Sequence, residues 1–530
     1  MKKTVFLIGI CIFAFSLSLF FQSCESCNPS TSNIGFICTE DISGTYNYQS
    51  APGGITSSGF IARIYYSSFD STCSSPLDTS YKRPLVIFGH GRYGSGASSP
   101  NYLGATNLMH HLASWGYICV SVNLDVVWSL NSSSNQWGIP HRGELLLNAI
   151  EEMISLNNDP ASIFYDRIDI DKIGIIGHSR GGGGATYAVN MNASKPAPRN
   201  IKALATISPT NFGTSPINGQ IPQLMIFGTW DGDLSDAQGY KLWDPVDRTS
   251  TKIFVEVEGA NHFHFTDAIT YPNEKNEISR NAHHKISKGF INSFFDRYVK
   301  ELDRYEWPRY LRGERLMVPY DTALLNIQYL YDTILVVDNG SPISTPNTNN
   351  LAGANDGSSL ALYDDRTLNL SSENQFGDTD GLRATWSDTT QNLTFQFTSQ
   401  DVTSYSHLAF RTSQRHGLPE NTTDRYKNWT VRLTDNSGAN ADVEIVNYHR
   451  GLQYPDFADY PVGHWSIGTT KERKNIPVTF RIPLSDFTGI SLNTVTQIEF
   501  IYNKADQSVS GINYDNDSGG ITIDDVEFTR

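Results

Sequence analysis

The chain has 530 residues, more than one ordinary hydrophobic core accommodates, so two or three domains are expected. Apolar residues make up 39% and charged residues 18% of the sequence, a balance that excludes a disordered chain and favours a globular protein. The formal net charge of −15 argues against a nucleic-acid partner, because phosphate binding requires a positively charged surface.

The first 24 residues have the pattern of a targeting segment. Lys2 and Lys3 precede an almost continuous apolar run over residues 5–21, which residues 22–24 (QSC) follow. A small residue before a cysteine at the end of such a run resembles a bacterial lipoprotein signal, which implies cleavage before Cys24 and a lipid on its sulfur. Ordinary signal-peptidase cleavage and an uncleaved anchor stay open as alternatives. In all three, the rest of the chain lies outside the cytoplasm, as a cell-surface or periplasmic lipoprotein or as a secreted protein.

The remaining cysteines indicate one disulfide bond and one free thiol. Export permits disulfides, and Cys38 and Cys73 both lie in loop-like sequence near the start of the first domain, so we expect them to pair. Cys119 lies in an apolar strand segment and is expected to be buried and free. The sequence shows no Cys or His spacing typical of zinc sites, so no metal is predicted.

Residues 25–45 are assigned to a linker and residues 46–328 to a domain in which short apolar strands alternate with helices. The predicted strands are residues 83–89, 117–123, 172–177, 202–208, 223–228 and 252–258, and the predicted helices are residues 105–115, 144–156 and 285–298. Strands that are almost entirely apolar and separated by helices indicate a parallel sheet covered on both faces. The predicted fold class is therefore α/β, with a doubly wound, mostly parallel sheet.

The pattern changes in residues 329–530, where apolar and polar residues alternate along short segments. These segments are residues 393–398, 429–434, 441–446, 478–482 and 497–502. Clusters of Asp, Asn, Ser and Gly separate them, as turns do. The alternation predicts an antiparallel β-sandwich in which one face of each strand lies on the core.

The strongest chemical signal is residues 177–181 (GHSRG), a G-x-S-x-G pentapeptide. It follows a predicted strand and precedes a segment of small residues that begins a helix, which is the context of a nucleophile elbow. Ser179 is therefore the predicted nucleophile. The alternative is a glycine-rich turn with an incidental serine.

A nucleophilic serine needs a base that an acid orients, and in this fold class acid and histidine follow the serine in chain order. Asp231 and His262 each follow one of the last two predicted strands. We therefore predict a catalytic triad of Ser179, Asp231 and His262. Asp233 competes with Asp231 for the role of the acid, and otherwise caps a turn or helix. His264 competes with His262, and otherwise lies in the pocket wall or on the surface.

The attack on an ester also requires hydrogen-bond donors for the oxyanion. One predicted donor is the backbone N–H of Arg180, which follows the nucleophile. The second is the backbone N–H of Arg92 or Tyr93, in the loop over residues 89–94 (GHGRYG). His90 in this loop is expected to be structural.

Four segments taken together resemble the α/β-hydrolase superfamily, above all its dienelactone-hydrolase-like and polyester-hydrolase-like esterases. They are residues 88–91 (FGHG), 177–182 (GHSRGG), 228–231 (GTWD) and 259–262 (GANH). The resemblance covers about residues 45–325. It implies a serine esterase that forms an acyl-enzyme and uses no metal or organic cofactor. Arg180 departs from the Met or Gln that is common at this position in polyester hydrolases, which weakens a prediction of plastic or cutin as substrate.

The substrate pocket is predicted to be open. Large caps in this superfamily are usually inserted where this chain has only the short loop of residues 208–221. An open cleft admits bulky or polymer-attached esters. Trp128, Trp137 and Trp230 are candidate pocket residues, and the alternative is that they are ordinary half-buried aromatic side chains.

Residues 329–530 resemble the jelly-roll, galactose-binding-like modules of secreted enzymes that act on polysaccharides and esters. Residues 405–411 (YSHLAFR), 478–487 (VTFRIPLSDF) and 520–528 (GITIDDVEF) carry the resemblance. It implies an all-β jelly-roll sandwich with a carbohydrate as candidate ligand. Function cannot be argued from this fold alone.

Several residues of this segment are candidate ligand-binding groups. The sugar-stacking candidates are Trp429, Tyr454, Tyr460 and Trp465, and the candidate ligands of a structural calcium ion are Asp524 and Asp525. The alternatives are core or surface aromatic residues and turn-capping aspartates.

The sequence thus predicts an extracytoplasmic serine hydrolase for carboxylic esters, with membrane contact only through an N-terminal lipid. One alternative is a surface binding or adhesion lipoprotein with a vestigial hydrolase domain. The complete set of triad residues argues against it, because an inactive enzyme is free to lose one of them. A serine peptidase or thioesterase is another alternative, since the same residues cleave amides and thioesters.

Overall fold

The computed structural model describes residues 36–51, 54–73, 80–93, 100–130, 136, 138–217, 221–234, 238–243, 250–267, 278–303, 306–313, 325–330, 334–340, 346–368, 379–415, 418–421, 425–448, 452–453, 477–509 and 512–530. The targeting segment lies outside the described residues, as do Trp137, Tyr454, Tyr460 and Trp465. In the described ranges, no helix is long and apolar enough to cross a lipid bilayer.

In the described part of the chain, a nine-stranded sheet forms the core of the first half. Its strands are β1 (Phe36–Ala51), β2 (Gly54–Ser68), β3 (Arg83–Gly89), β4 (Ile118–Val122), β5 (Ile168–His178), β6 (Ile201–Ile207), β7 (Gln223–Trp230), β8 (Lys252–Asn261) and β9 (Leu325–Leu330). The spatial order is β1-β2-β4-β3-β5-β6-β7-β8-β9. Strands β3 to β8 run parallel. At the two edges, β2 pairs antiparallel with β4 and β9 pairs antiparallel with β8, and β1 pairs antiparallel with β2. The six predicted parallel strands are thus present within a mixed sheet.

Helices cover both faces of this sheet. They are α1 (Thr106–Ser114), α2 (Ile139–Asn158), α3 (Arg180–Ala193), α4 (Arg280–Tyr298) and the short α5 (Glu306–Leu311). Successive strand residues point to opposite faces, so Ile175 packs into the apolar cluster under α2 and α3, and Ile176 into the one under α1 and α4. This double burial explains why the strand sequences are almost entirely apolar.

The N-terminal edge of the sheet differs from its prediction. Residues 36–45 belong to β1 and pair with β2, so the assignment of residues 25–45 to a linker is wrong for this part. Most of the described side chains of β1 are exposed, and an exposed edge strand carries no apolar run. Cys38 on β1 forms a disulfide bond with Cys73, as predicted, and Cys119 is buried and free.

The second half of the chain is rich in strands. They are β10 (Ile334–Asp338), β11 (Asn355–Asp356), β12 (Leu362–Leu368), β13 (Thr379–Trp386), β14 (Asn392–Gln400), β15 (His407–Gln414), β16 (Tyr426–Lys427), β17 (Thr430–Asp435), β18 (Asn440–Glu444), β19 (Leu452–Gln453), β20 (Val478–Pro483), β21 (Val495–Ile501), β22 (Gln507–Val509), β23 (Ile512–Tyr514) and β24 (Gly519–Thr529). The chain passes from the first sheet to this region between Leu330 and Ile334.

Two antiparallel sheets make up most of this region. One has the order β12-β13-β24-β15-β20, with β10 also on β24, and the other has the order β11-β14-β21-β17-β18. Strands of both sheets contribute to one apolar cluster, including Phe410 and Phe500, whose ring centroids lie 4.7 Å apart. The arrangement is consistent with a β-sandwich, and the jelly-roll assignment stays a prediction. Trp429 is fully buried in this cluster, so it is a core residue and not a sugar-stacking one.

Arg411 on β15 connects the strand-rich region to the nine-stranded sheet. Its guanidinium donates to Oε1 of Gln328 on β9 at 3.0 Å, and the same oxygen accepts a hydrogen bond from Tyr240 at 3.1 Å. Asp524 and Asp525 both form ion pairs with Arg411. The two carboxylates therefore neutralise a buried arginine, and their proposed role as calcium ligands is not supported.

Candidate active site

Ser179 lies in a sharp turn between β5 and α3. Its φ of 55° and ψ of −124° are rare for a residue with a side chain, and such strain is typical of functional sites. Glycines make the turn feasible: a Cβ atom on Gly177 would lie 2.3 Å from the carbonyl oxygen of Gly181, and one on Gly181 would lie 2.1 Å from that of Gly89. The pentapeptide thus folds as the predicted nucleophile elbow.

Asp231 and His262 form a buried hydrogen-bonded pair. Nδ1 of His262 lies 2.8 Å from Oδ2 of Asp231, and the two side chains are 2% and 0% exposed. The other carboxylate oxygen of Asp231 accepts the backbone N–H of Leu234 at 2.8 Å. Of the two aspartates in this loop, Asp231 is therefore the one placed to orient the histidine.

Asp233 contacts the opposite nitrogen of the same ring. Its Oδ2 lies 3.4 Å from Nε2 of His262, and its side chain is 26% exposed. Burial raises the pKa of Asp233 above its usual range, and the negative charge of Asp231 adds to this effect. The sequence left either aspartate as the candidate acid, and the structure brings both to one imidazole.

His178 ties the nucleophile elbow to the histidine loop. Its Nε2–H donates to the backbone oxygen of His262 at 2.9 Å, so its Nδ1 accepts the hydrogen bond from the Tyr93 hydroxyl at 3.1 Å. Burial and the adjacent charge of His262 hold the pKa of His178 well below its ordinary value, so this ring is neutral. Sequence reasoning missed the role of His178, although its position directly before Ser179 was a signal.

The loop after β3 lies directly beside Ser179. A Cβ atom on Gly91 would lie 2.7 Å from Cβ of Ser179, so the backbone before Arg92 and Tyr93 runs beside the serine. His90 holds this loop, because its Nδ1–H donates to the Gly91 oxygen at 2.7 Å while Nε2 accepts from a backbone N–H at 2.8 Å. Burial lowers the pKa of His90 to about 4, which is in line with its expected structural role.

The N–H groups predicted for the oxyanion come from two elements. Arg180 directly follows Ser179 and is the first residue of α3. Arg92 and Tyr93 lie in the loop beside Ser179, as described above. The two sources approach the serine from α3 and from the β3 loop, which is the arrangement expected for an oxyanion hole.

A second histidine outside the triad supports the loop of His262. His283 on α4 accepts the backbone N–H of Asn261 at Nε2 and donates from Nδ1 to the Ser279 oxygen, both at 2.9 Å. His264 is buried with its ring 5.3 Å from that of His283, so it is a packing residue and not a surface one. The hydrogen bond of His283 to the loop of His262 was not predicted, because no motif marks this histidine.

The residue after Ser179 is a partly buried arginine. The Arg180 guanidinium lies 6.0 Å from the Phe212 ring, and burial, with repulsion from Arg92, lowers the pKa of Arg180 to about 10. Asp233 opposes this repulsion. Trp230 is half-buried directly before Asp231, whereas the side chain of Trp128 lies outside the described residues, as Trp137 does.

Two features of the surroundings concern substrate access and metals. Residues 208–217 contain neither helix nor strand, so no cap is folded in the described part of this loop.

In the described residues, no group of three or more His, Cys, Asp or Glu side chains is arranged to hold a metal ion.

Residues 56–311 match the family model described as PET hydrolase-like. This segment is a PETase-like α/β-hydrolase domain. The predicted resemblance to polyester hydrolases is confirmed for this part of the chain.

Curated relatives are similar to the same part of the chain. Cutinase est2 of Thermobifida alba is 26% identical over 176 residues, which are 32% of this chain and 53% of that protein. Cutinase 1 of Thermobifida cellulosilytica is 27% identical over 209 residues, 38% of this chain and 69% of that protein. A bis(hydroxyethyl) terephthalate hydrolase of Streptomyces coelicolor is 24% identical over 272 residues, 49% of this chain and 76% of that protein. The chain thus spans about half to two thirds of the length of these cutinases.

Proposed function

We propose that the protein is an exported serine hydrolase that cleaves carboxylic esters through an acyl-enzyme. The observation that carries the proposal is the buried His262–Asp231 hydrogen bond of 2.8 Å, on a loop tied through His178 to the strained elbow of Ser179. The family match of residues 56–311 supports the same chemistry.

The residues have distinct roles in the proposed reaction. Nε2 of His262 takes the proton of the Ser179 hydroxyl while the serine oxygen attacks the ester carbonyl. Asp231 keeps the ring in the tautomer with hydrogen on Nδ1 and stabilises the imidazolium that forms. The N–H groups of Arg180 and of Arg92 or Tyr93 stabilise the oxyanion. The imidazolium then protonates the leaving alcohol, and water repeats the sequence to release the acid.

We propose esters attached to bulky or polymeric material as substrates. The uncapped loop of residues 208–217 supports an open cleft, and the names of the relatives include cutinases and a bis(hydroxyethyl) terephthalate hydrolase. Phe212 and Trp230 offer aromatic surface beside Arg180 and Asp231. The arginine after the nucleophile gives this cleft a charge that a Met or Gln would not.

Export is supported by the Cys38–Cys73 disulfide bond, because disulfides persist in oxidising compartments. We propose that the chain is held at the cell surface through a lipid on Cys24, in line with its N-terminal sequence. A carbohydrate ligand for the strand-rich region stays a prediction.

The proposal is tested with a fluorophosphonate probe and a series of p-nitrophenyl esters from acetyl to long acyl chains. We expect the mature protein to be labelled and to turn over esters, and Ser179→Ala to lose both while its circular dichroism spectrum stays unchanged. Bis(hydroxyethyl) terephthalate and a polyester film then test the substrate class. Turnover that persists in Ser179→Ala would contradict the assignment of the nucleophile, and absent labelling of the folded wild type would favour a vestigial hydrolase.

A further inference from the structure

One loop presents two carboxylates to the same imidazole. Asp231 and Asp233 both follow β7, and their Oδ2 atoms lie 2.8 Å from Nδ1 and 3.4 Å from Nε2 of His262. In the same loop, Oδ1 of Asp231 accepts the backbone N–H of Leu234 at 2.8 Å. His262 therefore lies between the two acids.

The role of Asp233 differs from that of a turn-capping aspartate. A capping carboxylate accepts a backbone N–H, and in this loop Asp231 accepts that of Leu234. The carboxylate of Asp233 instead contacts the ring nitrogen that exchanges protons with serine and leaving group in the proposed reaction. The position of Asp233 therefore allows it to affect proton transfer at Nε2 of His262.

Charged and ionisable groups surround both Asp233 and His262. Asp233 faces His262, Asp231, Arg180 and Arg92. The imidazole of His262 and the guanidinium groups of the two arginines favour the ionised form of Asp233, whereas burial and the charge of Asp231 oppose it. His262 faces the two aspartates and His178, which is neutral. The two arginines thus help to keep a partly buried carboxylate ionised beside the base.

We propose that Asp233 is a positioning residue that acts through His262 by accepting a hydrogen bond from Nε2–H of the imidazolium. This inference rests on the proposed serine-hydrolase function. In the free enzyme at low pH, His262 carries both protons between two carboxylates and cannot accept the serine proton. During acylation, the proton that leaves Ser179 is held on Nε2 beside Asp233 and passes to the leaving oxygen as the ester C–O bond breaks. Ionised Asp233 therefore stabilises the protonated ring and sets the pH below which the enzyme is inactive.

The test is the pH dependence of kcat/KM for a neutral p-nitrophenyl ester in the full chain. Asp233→Asn keeps the size of the side chain and removes its charge, so we expect the acid limb of the profile to move to lower pH by about one unit. Asp233→Ser removes the same charge with a different shape and should move the limb in the same direction. Asp233→Glu should bring the limb back toward the wild type.

The matched control is Asp303→Asn, which removes a carboxylate that is 90% exposed and paired with Arg297 away from the site. Its acid limb should coincide with that of the wild type. Fluorophosphonate labelling is measured for every variant. If the wild type shows no labelling that depends on Ser179, the proposed function fails and this inference fails with it. If labelling is normal and the limb of both charge-removing variants stays in place, only the role of Asp233 is overturned.

Discussion

The hydroxyl of Tyr93 donates a hydrogen bond of 3.1 Å to Nδ1 of His178, between residues that are 85 positions apart in the chain. His178 uses its other nitrogen to hold the backbone oxygen of His262. The loop beside the nucleophile, the residue before the nucleophile and the loop of the base are thereby joined. A change at Tyr93 should therefore affect the geometry of the whole site.

Tyr93→Phe removes this donor and leaves Nδ1 of His178 buried without a partner. An unsatisfied buried acceptor costs about 1–3 kcal/mol, so the free energy of unfolding should fall by that amount. We expect kcat/KM to fall as well, because the loop with the oxyanion donors loses one contact. Urea unfolding and ester turnover measure the two effects. Tyr165→Phe, at an exposed tyrosine, should change neither, and an unchanged stability of Tyr93→Phe would contradict the importance of the bond.

Asp231→Asn tests which aspartate orients the histidine. An asparagine at this position favours the wrong tautomer of His262, and such a change lowers kcat by about 10⁴-fold in a serine triad. The folded state should persist, because the substitution preserves shape. Single-turnover kinetics with a p-nitrophenyl ester measure the loss. A larger loss in Asp233→Asn than in Asp231→Asn would transfer the role of the acid to Asp233.

Gly181→Ala tests the tight turn of the elbow. The added Cβ atom would lie 2.1 Å from the backbone oxygen of Gly89, which cannot move without disturbing β3. Overpacking of this kind costs about 1–3 kcal/mol or more, and the midpoint of urea unfolding should fall accordingly. Gly59→Ala is the matched control, since no atom lies within 4 Å of the added Cβ. Equal stability of the two variants would show that the elbow tolerates a side chain.

Arg411→Met tests the connection between the strand-rich region and the nine-stranded sheet. The substitution leaves Asp524 and Asp525 buried without their cation, and breaking a buried ion pair in this way costs about 3–5 kcal/mol. We expect one cooperative unfolding transition in the wild type and a large loss of stability in the variant, measured by calorimetry. Neutralising both aspartates in the Arg411→Met background should recover much of the loss. An additive further loss would contradict the pairing.

Much of the first domain was predictable because its signals are local. The predicted strand over residues 83–89 coincides with β3, and the helix predicted over residues 105–115 differs from α1 by one residue at each end. Double burial makes such strands apolar without interruption, so the sequence displays them directly. The edge strand β1 was not predicted, because most of its described side chains are exposed and it carries no apolar run. The other edge strand, β9, was not predicted either, although residues 327–330 are buried.

The residues of the candidate site also fall into those with a local sequence signal and those without one. Glycine spacing and chain order name Ser179, Asp231 and His262 as the candidate triad, since an elbow needs small residues and each partner follows a strand. The supporting contacts of His178 and His283 were not visible, because each depends on a partner far along the chain. The burial of Trp429 was likewise hidden, because an aromatic residue has the same sequence signal in a core and on a binding face.

The sequence by itself determined the strands of the parallel sheet, the tight turn at Ser179 and the order of the candidate catalytic residues, because periodicity, glycine spacing and strand ends are properties of neighbouring residues. Only the tertiary structure decided that Asp231 contacts Nδ1 and Asp233 contacts Nε2 of His262. It also decided that Asp524 and Asp525 neutralise Arg411. These outcomes depend on distances of a few ångströms between segments far apart in the chain, and such distances are set by how the sheets and loops pack together.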